Sequence, residues 1–313
     1  MSRTILVPLD GSQFAEHALP AAIAIARRTG AALELITVDR APVSWVVPEV
    51  PIVMDEVLPV QDGQRYLEEL HERMPADIPV RLTTLNGRAT PFLVKHITAT
   101  EPAMVIMSTH GRGGFSRLWL GSVADGVARH SPAPVLMVKP PPTEVDLSAV
   151  RRFPRVLIPL DGSVAGEEIL DQALVTFGIE DVEYTLMRVI SPLAVDHQWD
   201  ADTTPMRRAE SHPESLLHAA ADRMRARGAK VVERLEVADM PATAIVDVAE
   251  EIEARAIAMT THARRGMSRF LMGSIADKVL RTAPCPVLLY HPTHEVVDVR
   301  RRVESARASA VPL

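Results

Sequence analysis

The chain reads ILVPLDGS at residues 5–12 and VLIPLDGS at residues 156–163. Each stretch is a short, unbroken apolar run that ends in an aspartate, a glycine and a serine. Apolar runs of this length, rich in branched side chains, predict strands buried on both faces, as in a parallel sheet. Because the stretch returns only after about 150 residues, it predicts two copies of a whole domain and not a short solenoid repeat.

A second and longer repeat supports this division. Residues 107–138 return as residues 259–290, and more than half of the positions are identical. Prolines at residues 140–142 then predict a stiff, extended connection between the copies. We therefore expect a first domain over residues 1–140, a linker over 141–152, a second domain over 153–293 and a charged tail over 294–313.

Strand patterns alternate with helical patterns inside each copy. Ser12 is placed to cap the first helix, Gly30 to end it and Pro20 to kink it. Strand–helix alternation with right-handed crossovers predicts the α/β class, with two tandem doubly wound, Rossmann-like domains built on parallel sheets. In the first copy the predicted strands are 5–9, 33–38, 80–84, 104–107 and 135–138, and the predicted helices are 14–29, 61–74, 91–100 and 123–130. The second strand of the second copy is predicted at 184–189.

Composition excludes several classes of partner. The net charge of -6 argues against nucleic acid, because phosphate binding needs a basic face. No apolar run approaches the roughly 20 residues that cross a bilayer, so no membrane partner is expected. The single cysteine, Cys285, fits a reducing compartment, and no targeting segment is visible at the start of the chain, so we expect a cytoplasmic protein.

Ligands of doubly wound sheets bind beyond the carboxyl ends of the strands. In the first copy Asp10 follows the first strand, Val38 closes the second, and the glycine-rich run 108–114 leaves the fourth strand. That run leads to Gly121 and Ser122 at the start of a helix, where free N–H groups and the helix dipole favour an anion. The second copy places Asp161, Val189, Gly273 and Ser274 in the same way.

These residues resemble those of the universal stress protein family, over essentially both copies. The ATP-binding branch of that family has a glycine, two residues, a second glycine, nine residues, a third glycine, and then serine or threonine. The first copy matches this pattern except that Ser108 stands for the first glycine, while the second copy has Thr260 and Ala263 in place of the first two.

The resemblance implies a domain that binds an adenine nucleotide. It places Asp10 and Val38 near the base and the glycine-rich turn around the ribose and the phosphates, mainly in the first copy. Mg²⁺ would arrive with a triphosphate and be held mostly by phosphate and water. The cofactor-binding residues expected in the first copy are Ser108, Gly111, Arg112, Gly121 and Ser122 together with Asp10 and Val38.

Structural explanations of the same residues stay open. Asp10 and Asp161 can simply fix a turn, Gly121 and Gly273 can serve close packing, and Arg112 can face solvent. Ser122 and Ser274 are suited to cap helices whatever is bound. No catalytic or metal-binding constellation is visible in the sequence.

Three functions follow from these alternatives. The first is a nucleotide-binding stress or signalling protein, in which ATP tunes conformation or assembly. The second is an interaction module of the same fold with an empty site. The third is a weak ATP hydrolase, against which stands the lack of a general base near the phosphate turn.

The last strands of the two copies carry no charge and no internal proline. Residues 135–138 and 287–290 would be open apolar sheet edges, which proteins normally cover. The simplest cover is each other, related by an approximate two-fold axis, and the family resemblance implies the same pairing inside one chain. A further homodimer through other surfaces is left open.

Overall fold

The computed structural model describes residues 4–39, 62–110, 120–141, 143–148, 151–192, 213–261 and 272–291. Strands and helices alternate along these residues, as the apolar pattern predicts. The strands are β1 (Thr4–Leu9), β2 (Ala32–Asp39), β3 (Val80–Asn86), β4 (Met104–Ser108), β5 (Val135–Val138), β6 (Arg155–Pro159), β7 (Glu183–Ile190), β8 (Lys230–Val237), β9 (Ala256–Thr260) and β10 (Val287–Tyr290). The helices are α1 (Gln13–Glu16), α2 (Leu19–Thr29), α3 (Gly63–Glu72), α4 (Ala89–Thr100), α5 (Ser122–His130), α6 (Val164–Phe177), α7 (Pro213–Arg225), α8 (Pro241–Glu251) and α9 (Ser274–Thr282).

The strands form one sheet in the order β3-β2-β1-β4-β5-β10-β9-β6-β7-β8. Within each copy all neighbouring strands are parallel, and the strand order reverses direction between β1 and β4 and again between β6 and β9. The predicted doubly wound α/β fold is therefore confirmed. Each reversal is a switch point, where the loops on either side diverge and leave a crevice at the carboxyl edge.

The two copies meet where β5 and β10 pair antiparallel. Leu136 faces Leu288 at the centre of the pairing, and the neighbouring pairs Met137–Val287 and Val135–Leu289 are related by an approximate two-fold axis. All six side chains are at most 2% exposed. We call this pairing the seam.

A charged network lies beside the seam and follows the same pseudo-symmetry. Arg129 of α5 binds Asp125 at 2.9 Å in its own helix and Asp277 of α9 at 3.0 Å across the seam. Arg281 of α9 binds Asp277 at 2.9 Å and approaches Asp125 to 3.6 Å. The hydrogen bonds from Arg281 lower the pKa of Asp277, so this carboxyl stays charged at neutral pH.

The core lies in two layers, one on each face of the sheet. Alternate residues of β1 point to opposite layers, with Ile5 and Val7 on the face covered by α2 and α3 and Leu6 on the face covered by α4 and α5. Each layer includes buried residues of both copies, so the apolar packing continues across the seam.

Local signals explain where the first helices begin and end. Ser12 accepts a hydrogen bond from the Ala15 amide and caps α1, and Gly30 ends α2 in the left-handed conformation with φ 67°. Both predictions are confirmed. The predicted single helix over 14–29 is wrong, because the chain breaks at residues 17–18 between α1 and α2. Pro20 lies in the first turn of α2, where its missing N–H leaves no bond unmade, and so it does not kink a continuous helix.

The segment between the copies contributes to the packing. Leu147 is 9% exposed and belongs to the same core layer as Phe153, whose ring lies 5.0 Å from that of Phe177. The predicted tail over 294–313 lies outside the described residues. Among the residues that are described, no helix is both long enough and apolar enough to cross a membrane.

Candidate functional site

The turn after β1 is held by the carboxylate of Asp10. Its Oδ1 accepts hydrogen bonds from the Ser12 amide at 3.0 Å and from the Ser12 hydroxyl at 2.6 Å. Gly11 between them has φ 80°, a conformation that other residues rarely adopt. Asp10 therefore has the turn-fixing role that its residue type allows, and it holds this turn at the carboxyl edge of the sheet, beside the switch point.

A polar cluster around the buried Glu16 joins α1, the helix after this turn, to α3. The carboxylate of Glu16 accepts from the Tyr66 hydroxyl at 3.2 Å and pairs with Arg73 at 3.1 Å. Burial and then the charge of Glu16 raise the pKa of Tyr66, so the hydroxyl remains a donor. In the second copy Glu167 and Arg223 form the equivalent pair at 2.6 Å.

The strand end and helix start on the other side of the switch point are bound to each other. The amide of Gly121 donates to the Thr109 carbonyl at 2.9 Å, just beyond the end of β4. A Cβ at position 121 would lie 3.3 Å from that carbonyl oxygen, which explains the glycine by close backbone packing. The second copy repeats this geometry, with an amide-to-carbonyl distance of 2.9 Å from Gly273 to Thr261 and 3.0 Å to the added Cβ.

The serines do not cap these helices. The N-cap residues are Gly121 and Gly273, which have no side chain to offer the first-turn amides, while Ser122 and Ser274 occupy the first helical position and are exposed. The expectation that the serines act as caps is therefore wrong. A helix start of this kind leaves its first amides to be satisfied by another partner, which is the geometry that binds anions.

Ser108, at the end of β4, has a different environment from the one its motif position suggests. Its side chain is buried at 5% exposure, and its hydroxyl accepts from the His110 amide at 3.3 Å. His110 also lies 2.8 Å from the Thr109 hydroxyl through Nδ1. Ser108 therefore stabilises the departure of the chain from β4. Gly111 and Arg112, which the sequence assigns to the ligand, lie outside the described residues.

The end of β2 completes the edge of the first copy. Val38 is half-buried next to Asp39, the last residue of the strand. A Cβ at Gly63, the first residue of α3, would collide with the carboxylate of Asp39, so the start of this helix lies directly against the strand end. Asp62 caps α3 by accepting from the Arg65 amide at 3.1 Å. Asp10, Asp39 and Asp62 make this side of the crevice acidic.

The second copy has the same turn but a different strand end. Asp161 Oδ1 accepts from the Ser163 amide at 3.0 Å and from its hydroxyl at 2.7 Å. Val189 is half-buried, like Val38. Arg188, however, is buried at 6% exposure, and its guanidinium covers the glycine of the turn. Sequence reasoning missed Arg188, although it is the one charged residue within the predicted strand 184–189, and this was the signal.

The structure thus brings Asp10, Val38, Gly121 and Ser122 to the carboxyl edge of one half of the sheet. It brings Asp161, Val189, Gly273 and Ser274 to the corresponding edge of the other half. No group of three or more histidine, cysteine, aspartate or glutamate side chains suited to a metal ion occurs among the described residues.

Comparison with known proteins identifies the fold and its duplication. The model of the universal stress protein family matches residues 1–139 and again residues 152–291. The chain belongs to the universal stress protein family. The tandem arrangement inferred from the repeat is confirmed by the two matches.

Relatives of the family match either one domain or both. A universal stress protein of Methanocaldococcus jannaschii is 30% identical over 145 residues, covering 45% of this chain and 85% of its own. A universal stress protein of Mycobacterium tuberculosis strain H37Rv is 26% identical over 302 residues, covering 91% of this chain and 95% of its own. The crystal structure of a universal stress protein from Archaeoglobus fulgidus aligns with a TM-score of 0.59 at 21% identity, covering 94% of this chain and 98% of that one, and it supports the fold.

Proposed function

We propose that this universal stress protein binds an adenine nucleotide, ATP in particular, in its first domain. The observation that carries the proposal is the convergence of three features at one switch point. These are the Asp10 turn, the end of β2 at Val38, and the start of α5, whose cap has no side chain. Switch points of parallel sheets are where such folds bind ligands.

The residues fit a nucleotide from one end to the other. The base lies near Asp10 and Val38, where carboxylate and backbone groups can bind its polar edge. The phosphates lie at the start of α5, where the helix carries a partial positive charge. There the first-turn amides and the exposed Ser122 hydroxyl can donate hydrogen bonds to them. We assign Ser108, Gly111 and Arg112 to the ligand from their place in the motif between β4 and α5, and Mg²⁺ arriving with a triphosphate would be held mostly by phosphate and water.

Binding alone accounts for these residues, and we assign no catalytic group. Nucleotide occupancy would tune conformation or assembly in a stress response. The lone cysteine suits a reducing compartment, and we propose the cytoplasm as the place of action. The working unit is one chain with domains at 1–140 and 153–293, joined by the linker 141–152 and held together in solution by pairing at the seam.

The second candidate is an interaction module whose site stays empty. It is favoured by Ser108, which replaces the first glycine of the ATP-binding motif. The buried hydroxyl of Ser108 already accepts a hydrogen bond from the His110 amide. The two candidates differ in one measurable property, which is nucleotide affinity.

The test compares Asp10→Asn with a control that changes the same kind of turn elsewhere. Asn keeps one oxygen that can accept from Ser12, removes the negative charge and replaces the second acceptor oxygen with an NH₂ donor. Asp146 makes the same two bonds to Ser148, at 2.9 and 2.6 Å, in the linker, so Asp146→Asn is the matched control. Losing one charge-assisted hydrogen bond to the ligand predicts a dissociation constant about tenfold higher for Asp10→Asn. Asp146→Asn should bind like the parent.

The parent protein gives the decisive result for the choice between candidates. Nucleotide released on denaturation and identified by chromatography, or saturable ATP binding, supports the proposal, and ADP that accumulates with time adds hydrolysis. A parent that carries no nucleotide and gives no thermal shift with ATP refutes the proposal and leaves the empty module.

A further inference from the structure

A buried arginine in the second domain has no counterpart of its kind in the first domain. Arg188 stands in β7 directly before Val189, the residue equivalent to Val38 at the base end of the proposed site. Its residue is only 6% exposed although it lies near the carboxyl edge, where side chains of that length usually reach solvent. The guanidinium is therefore buried at the carboxyl edge of the sheet and does not extend into solvent.

The guanidinium lies against the turn after β6. A Cβ added at Gly162 would be 2.5 Å from Nη1, 2.8 Å from Cζ and 2.9 Å from Nη2 of Arg188. Gly162 joins Asp161 to Ser163 with φ 78°. The arginine side chain thus spans from the end of the second strand of this domain to the turn of its first strand.

The first domain has a short side chain at the same position. The sheet register pairs Pro8 with Ile36 and Pro159 with Met187, so Thr37 is the counterpart of Arg188. The side chain of Thr37 is too short to reach the turn after β1. It lies against the start of α3, where its Cγ2 would be 2.6 Å from a Cβ at Gly63. The strand ends differ in charge as well, because Ile190 replaces Asp39.

We propose that Arg188 closes the base end of the second site to adenine, so that one chain binds one nucleotide, in the first domain. This inference rests on the proposed function. A base entering the second site must displace a buried guanidinium, and a neutral base provides no charge to compensate for that cation. At the other end of the site, the described backbone at Gly273 repeats the geometry at Gly121, so Arg188 is the difference between the copies that the described residues show at the base end.

The test exchanges the two residues. Calorimetry with ATP should count one site in the parent, two in Arg188→Thr and none in Thr37→Arg. The double variant should again show one site, because the exchange moves the open site to the second domain. Thr37→Val, which keeps the shape of threonine, is the matched control and should bind like the parent.

The outcomes separate this inference from the proposed function. A parent that binds no ATP refutes the function itself. A parent with one site and an Arg188→Thr variant that still has one site refutes only the closure by Arg188, as does a parent with two sites. If Arg188→Thr does not fold, Thr37→Arg decides: an affinity at least about tenfold weaker, with the melting temperature of the ligand-free protein kept, supports the inference, and unchanged affinity overturns it.

Discussion

A lysine at the seam should destabilise the whole protein. Met137 and Leu289 lie on the two seam strands, are 1% and 0% exposed, and belong to one core layer. Val237 on the outer strand β8 is also an apolar strand residue, but it is 55% exposed. Met137→Lys and Leu289→Lys are therefore the test variants, and Val237→Lys is the matched control.

The expected loss follows from the burial of these side chains. Each seam variant gives up the burial of one large apolar side chain, worth about 1.5–3 kcal/mol. It also buries a polar group without a partner, which costs about 1–3 kcal/mol. The free energy of unfolding should fall by roughly 2.5–6 kcal/mol, whereas Val237→Lys should change it by less than about 0.5 kcal/mol.

Thermal denaturation of the full chain measures this difference. At about 2–4 °C per kcal/mol for domains of this size, the seam variants should melt roughly 5–24 °C below the parent. Size-exclusion chromatography should show an expanded chain if the halves separate. If the seam variants melt at the same temperature as Val237→Lys, β5 and β10 do not pair in solution.

Three further predictions concern the turns and one buried histidine. Gly111→Ala should weaken ATP binding without unfolding the protein, because Ala263 stands at that place in the second copy; unchanged affinity measured by calorimetry would separate this turn from the ligand. Gly273→Ala should lower the urea midpoint more than Gly121→Ala, because its Cβ would lie 3.0 Å and not 3.3 Å from a backbone carbonyl oxygen, with losses of about 1–3 kcal/mol; the reverse order would contradict the packing argument. Burial lowers the pKa of His17 below its ordinary 6.5. As the pH falls below 6.5, the imidazole is therefore protonated in the unfolded chain before it is protonated in the folded protein, and the folded protein loses stability. Between about pH 7.5 and pH 5.5 the urea midpoint of His17→Gln should therefore fall less than that of the parent, and equal falls would remove His17 as a cause.

The sequence was sufficient for the order of the elements and for the duplication. Buried strands such as β1 and β4 are continuous apolar runs. Runs of this kind, separated by helical patterns, are typical of a parallel sheet and predict this fold directly. The break between α1 and α2 was not predictable from Pro20, because proline at the start of a helix and proline at a kink give the same local pattern. Gly121 as the cap in place of Ser122 was equally hidden, since the cap depends on the backbone path around Thr109.

The difference between the two sites depends on packing that sequence patterns do not contain. Arg188 was visible as a charge in an apolar strand, but the turn it covers is distant along the chain, and only the register of β6 and β7 brings them together. The Glu16–Tyr66–Arg73 cluster is of the same kind, because Glu16 belongs to α1 whereas Tyr66 and Arg73 belong to α3 and its C-cap.

Hydrogen–deuterium exchange of the full chain with and without ATP tests the central claim most directly. The account predicts slower exchange at the turn after β1, near Ser12, and in the first turn of α5, after Gly121. The corresponding turns of the second domain, near Ser163 and Gly273, should exchange at the same rate in both conditions. Exchange that is unchanged by ATP throughout the first domain, or slowed only in the second, would contradict a nucleotide site in the first domain.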